Sequence, residues 1–129
     1  LSKLDKFIDE REQWAAYYAE KLKNIPWLRT PATPAGYKHG WQSYVTFIDE
    51  KKSPVKRNDM MEVLQQKGIA TRPGTHAVHM LGAYANKYGI KPGDFPGAFI
   101  ADQQSMSIPL HNRMVKEDFD YIISALMDF

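Results

Sequence analysis

No cysteine occurs among the 129 residues, which excludes a disulfide scaffold, a thiolate zinc site and a cysteine nucleophile. No apolar run approaches the roughly 20 residues of a membrane span, and the first residues carry no signal-peptide pattern. Charge of one sign is missing too: 17 Lys and Arg stand against 15 Asp and Glu, a net charge of +2. Nucleic-acid binding would ask for a basic stripe, so this interspersed balance argues against it. There is no low-complexity segment and no internal repeat. The remaining expectation is a soluble, cytoplasmic protein of one domain. Its apolar share of 43% is enough for one core without covalent staples.

The first segment carries apolar residues at Leu1, Leu4, Phe7, Ile8, Trp14, Ala15, Tyr18 and Leu22, a helical period that Pro26 stops. The stop is visible but the start is not: Leu1 already lies on the apolar face, and Ser2 is the one candidate cap. The pattern therefore predicts a long N-terminal helix that continues upstream in a longer protein. The alternative is a helix capped by Ser2.

Residues 26–40 hold three prolines and two glycines and predict an irregular connector. Residues 41–49 alternate, with Trp41, Ser43, Val45 and Phe47 on one side and Tyr44 and Thr46 on the other, a largely buried strand. Asn58 can cap a helix to about Lys67 with Met60, Met61 and Leu64 inward, and Gly68 fits a left-handed position after it. A short strand over 69–72 and a helix over 77–87 follow, the latter with Val78, Leu81 and Tyr84 or Ala85 inward. A helix over 96–104 with Pro96 at its first turn, a strand over 105–110 and a last helix complete the chain. In that last helix Phe119, Ile122, Ile123 and Leu126 point inward. The result is a small α/β sandwich of about three strands with helices packed on it.

The stretch Gly68 to Tyr84 concentrates polar chemistry at a strand-to-helix connection: Arg72, Pro73, Gly74, Thr75, His76 and His79. Free backbone N–H groups at a helix start beside an arginine suit an anion. A plain turn with Thr75 as N-cap explains the same letters. His76 and His79 have the spacing of two metal ligands, with Asp102 and His111 as third candidates. A His-x-x-His pair without an internal glutamate is weak evidence, and a cap or pocket wall is the simpler reading. The serines form no nucleophile elbow, and the lysines fall on polar helix faces or in turns, so no Schiff-base amine stands out. His39, at the entry of the strand beside Trp41, is a further polar candidate.

The succession LDKFIDEREQWAAYYAEKL, HGWQSYVTF, RNDMMEVLQQKGIATRPGTHAVH and SMSIPLHNRMVKEDFDYIISAL resembles the C-terminal part of the DegT/DnrJ/StrS sugar aminotransferases, over about Leu4 to Leu126. The resemblance implies the small domain of the aspartate-aminotransferase-like fold, residues 1–129 being that domain, with a large cofactor-binding domain upstream. It implies pyridoxal phosphate (PLP) in the full-length protein but not on this piece, and no catalytic residue here. The implied reaction moves an amino group from glutamate or glutamine to a keto sugar, usually nucleotide-linked. The implied partners are the nucleotide-sugar, the N-terminal domain and, at full length, a second subunit in a homodimer. Arg72, Gly74, Thr75, His76 and His39 are the implied substrate-side residues, His79 being more structural. Thr75 stands where many members have tyrosine. Relatives that have lost the lysine act as dehydratases. Outside the family, a free-standing module that binds an anion or a partner is the competing expectation.

Overall fold

The computed structural model describes residues 2–129. Helix α1 spans Leu4–Leu22 and buries Ala15, Tyr18 and Leu22. Its first turn has no side-chain cap, and the N-cap position is Lys3, not Ser2. The part of the expectation that concerns Leu1 lies outside the described residues. Four antiparallel strands, β1 (Leu28–Arg29), β2 (Tyr44–Ile48), β3 (Arg72–Pro73) and β4 (Ser105–Ile108), form one sheet in the order β1-β2-β4-β3. The extra strand, β1, lies inside the connector expected to be irregular. Leu28 and Arg29 sit between prolines and still complete two ladder positions against Ile48 and Phe47.

The alternation of β2 is as expected, and it sorts the two faces. Tyr44, Thr46 and Ile48 are fully buried with Met106 and Ile108 of β4, while Val45, Phe47 and Ser107 on the other face are half-buried. Helices α1, α2 (Arg57–Gln66) and α5 (Lys116–Met127) supply the rest of that core. Phe119 stacks on Trp14 at 4.2 Å and meets Tyr18 edge-on at 5.0 Å. Phe119, Ile122, Ile123 and Leu126 are all buried, as their spacing predicts. Gly68 takes a left-handed φ of 76° after α2, where a Cβ would be strained. Asn58 is not the cap of α2, which begins one residue earlier at Arg57.

Strand β2 starts three residues later than expected because Trp41 sits at φ 47°, a conformation that cannot continue a strand. Its N–H donates to His39 Nδ1 at 2.8 Å and its carbonyl accepts from Arg11 Nη1 at 3.2 Å. These contacts, with a buried indole, hold the unfavourable backbone in place.

The helix expected over 77–87 is corrected. Val78–Met80 form one 3-10 turn and α3 spans only Gly82–Tyr88, with Leu81 extended between them. Val78, Leu81 and Tyr84 are exposed, not inward. Extended backbone at Leu81 breaks the periodicity, and the segment runs away from the core. Helix α4 (Pro96–Gln104) has the expected bounds but likewise buries nothing.

Candidate functional site

Arg72 and Pro73 pair with Ser107 and Met106, so Arg72 shares the outer face of the sheet with Ser107 and Val45. The chain then crosses β4 closely. A Cβ on Gly74 would lie 2.4 Å from Val45 Cγ1 and 2.8 Å from Ser105 Cβ, so no side chain fits there. The Gly74 N–H donates to the Ser105 carbonyl at 3.1 Å. Gly74 thus permits the close crossing of the loop over β4.

The same Ser105 carbonyl accepts Arg57 Nη1 at 3.3 Å, and Arg57 Nη2 donates to the Asp102 carbonyl at 2.9 Å. Arg57 is 5% exposed. Burial pushes its pKa below the usual guanidinium range, partly offset by Asp102 and Glu50. The last carbonyls of α4, the negative end of its dipole, act as its counter-charge. The Asp102 carboxylate faces the loop: it accepts the Ala77 N–H at 3.0 Å and lies 3.7 Å from His76 Nδ1. Thr75 therefore does not cap a helix here; the loop amide is satisfied by a side chain from α4.

The predicted site residues do not converge on one cavity. His76 and His79 line an apolar hollow of about 400 Å³ with Tyr84 and Phe95. His79 is buried against the Phe95 ring at 5.1 Å. Arg72 lines two others, of about 480 and 330 Å³, both shared with Ala70, Pro109 and His111. His39 lies outside all three hollows and stacks on Trp41 at 4.1 Å. Thr75 is exposed. Among the described residues no three His, Asp or Glu side chains come together as metal ligands, His111 facing a different cavity from His76 and His79. Among the described residues no helix is long and apolar enough to cross a membrane.

Arg57 and Ser105 were not singled out from sequence. A signal existed for Arg57: it precedes Met60 and Leu64 at helical spacing, an arginine on an inward stripe. No sequence signal marks the role of the Ser105 carbonyl, since any residue has one.

Residues 1–127 match the DegT/DnrJ/EryC1/StrS aminotransferase family. The chain is 34% identical over 129 residues to the spore coat polysaccharide biosynthesis protein SpsC of Bacillus subtilis (strain 168), covering 99% of this chain and 33% of that protein. The crystal structure of the aminotransferase TlmJ from Streptoalloteichus hindustanus matches with a TM-score of 0.83 and 25% identity, covering 97% of this chain and 32% of that one. A DegT DnrJ EryC1 StrS aminotransferase from Brucella abortus matches with a TM-score of 0.81 and 26% identity, covering 99% and 32%. The chain spans about a third of the length of the relatives it matches.

Proposed function

The chain belongs to the DegT/DnrJ/EryC1/StrS aminotransferase family, and from that premise we propose that it is the C-terminal domain of a PLP-dependent sugar aminotransferase. The full-length enzyme moves an amino group from glutamate or glutamine to a nucleotide-linked keto sugar. One observation supports the division of labour: every lysine is exposed except Lys67, which is half-buried and paired with Asp128 at 2.8 Å. None is desolvated as a Schiff-base amine must be, so the residues present do not fit PLP and the cofactor's lysine belongs to polypeptide beyond this chain. Bound there, PLP supplies an electron sink.

This domain's contribution is a wall. The loop Gly74 to His79 is fixed by Asp102 and Ser105 rather than left mobile, and it presents Thr75 and His76 outward. Arg72 presents a charged fork on the sheet beside it. Apolar residues left exposed on α1 and on the segment around α3, such as Leu4, Phe7, Leu81 and Tyr84, suit burial against the N-terminal domain and a second subunit in a homodimer. Such burial excludes water from the reacting groups.

The test uses the full-length protein. With PLP, glutamate or glutamine and a panel of nucleotide-linked keto sugars, an aminated sugar should appear by mass spectrometry together with the 2-keto acid. Loss of water from the sugar with no amine gained would move the protein to the dehydratase relatives. Full activity by residues 1–129 alone would overturn the proposal.

A further inference from the structure

We infer that Arg57 is a positioning residue of the enzyme: without touching substrate, it sets the placement of residues 74–77 and so of the Thr75 and His76 side chains turned outward between them. The inference rests on the function proposed above for what those side chains face. Three features make Arg57 costly for the fold. It is buried on the inward stripe of α2 with Met60 and Leu64. It opens α2, where the positive end of the helix dipole disfavours a cation. Among the described residues no carboxylate lies within ion-pair distance of it, and its Nε is buried with no acceptor. A buried guanidinium so poorly neutralised is a weak source of stability, and an apolar side chain of similar size often does better. What Arg57 supplies is orientation.

Both of its hydrogen bonds go to the joint between α4 and β4, Nη1 to the Ser105 carbonyl and Nη2 to the Asp102 carbonyl. The same two residues hold the loop. Ser105 accepts the Gly74 N–H through that carbonyl, and Asp102 accepts the Ala77 N–H through its carboxylate. Gly74 and Ala77 flank Thr75 and His76, so both ends of the exposed stretch are seated on groups that one guanidinium aligns. A planar fork fixes the two carbonyls relative to each other, and with them the spacing of the two anchors. The joint is braced further: Ser105 Oγ donates to the Ala101 carbonyl, and Gln103 Nε2 donates to Asp102 Oδ2 at 2.6 Å. Among the described residues no hydrogen bond joins Arg57 to the loop itself, so its influence passes through Ser105 and Asp102.

The experiment compares the full-length protein with Arg57→Met, Arg57→Lys and a core control in α5, Ile123→Val. The first readout needs no ligand: hydrogen-exchange mass spectrometry on peptides that cover residues 74–77. Arg57→Met should speed exchange there about tenfold. Arg57→Lys should speed it less, because an ammonium keeps the charge but lacks the fork that spans both carbonyls. Ile123→Val lowers the urea midpoint without reaching the loop and should leave that exchange unchanged. The second readout is steady-state kinetics with the keto sugar that the wild type aminates best in the panel above. In Arg57→Met, kcat/KM for the sugar should fall about fivefold to tenfold while kcat/KM for the amino donor holds, whereas a merely structural defect moves both or neither. Faster exchange with a selective loss for the sugar supports the inference. Unchanged exchange in Arg57→Met, equally fast exchange in Ile123→Val, or a sugar kcat/KM that does not fall below that of the donor overturns it. If circular dichroism shows Arg57→Met unfolded, Arg57→Lys carries the same comparison with smaller changes. Failure of the proposed function reads differently: a wild type that aminates no sugar removes the aminotransferase, and the exchange measurement alone then decides whether Arg57 places the loop.

Discussion

Helix α5 buries Phe119, Ile122, Ile123, Ala125 and Leu126, whereas α3 and α4 bury nothing. Both regions are rich in large apolar residues: Val78, Leu81, Tyr84, Phe95 and Ile100 belong to the second. The difference lies in what holds each one. The first is shaped by its own burial against β2 and β4. The second is tied to the sheet through Gly74 and Ser105, is braced within itself by Asp102 and Ala77, and shows its large apolar side chains to solvent. An exposed apolar cluster of that kind suits the burial against other polypeptide proposed above.

The comparison breaks most readily at its two aromatic rings. Phe119→Ala removes a fully buried ring and should cost about 3–5 kcal/mol in urea unfolding. Phe95→Ala, on a ring that is 52% exposed, should stay within about 1 kcal/mol. Equal costs would show that the second region has a core of its own. Gly74→Ala tests the tie between them and should cost about 1–3 kcal/mol, because the new methyl meets Val45 and Ser105. Combining it with Val45→Ala should restore part of that loss in a double-mutant cycle.

Alkaline pH sharpens the comparison through two buried phenols of the core. Burial raises the pKa of Tyr18 and Tyr44 above the ordinary phenol value of 10.0. The stability they contribute is present below that value and is lost as pH rises above it, because the unfolded chain releases protons that the fold keeps. The slope is at most about 1.4 kcal/mol per pH unit per group. Urea midpoints at pH 9 and 11 should fall accordingly, and Tyr44→Phe should flatten the decline. The smallest effect belongs to Asp102. Asp102→Ala should cost about 1 kcal/mol and speed amide exchange at Ala77, while Asp102→Asn keeps an acceptor and should largely preserve that amide's protection.

The region that buries its side chains was the legible one. The spacing of Phe119, Ile122, Ile123 and Leu126, the alternation of β2 and the left-handed Gly68 all follow from periods that burial enforces. Around α3 the same apolar letters misled, because Val78, Leu81 and Tyr84 keep a helical spacing without a core to face. The residues of the candidate site stand in the sequence as a set of types and not as an arrangement. Arg72 and His76 are four apart in sequence yet line separate hollows, because β3 carries the chain along β4 between them. Ser43, Ser107 and His111 join Arg72 only through strand register, which no local motif records.

The Ser105 carbonyl receives both the buried Arg57 and the Gly74 amide. One oxygen thereby fastens the loop to the start of α2, and the loop inherits the stiffness of the interior. Under the function proposed above it would serve as a fixed lip and not a flap, and any closing over substrate would move the domain as one piece.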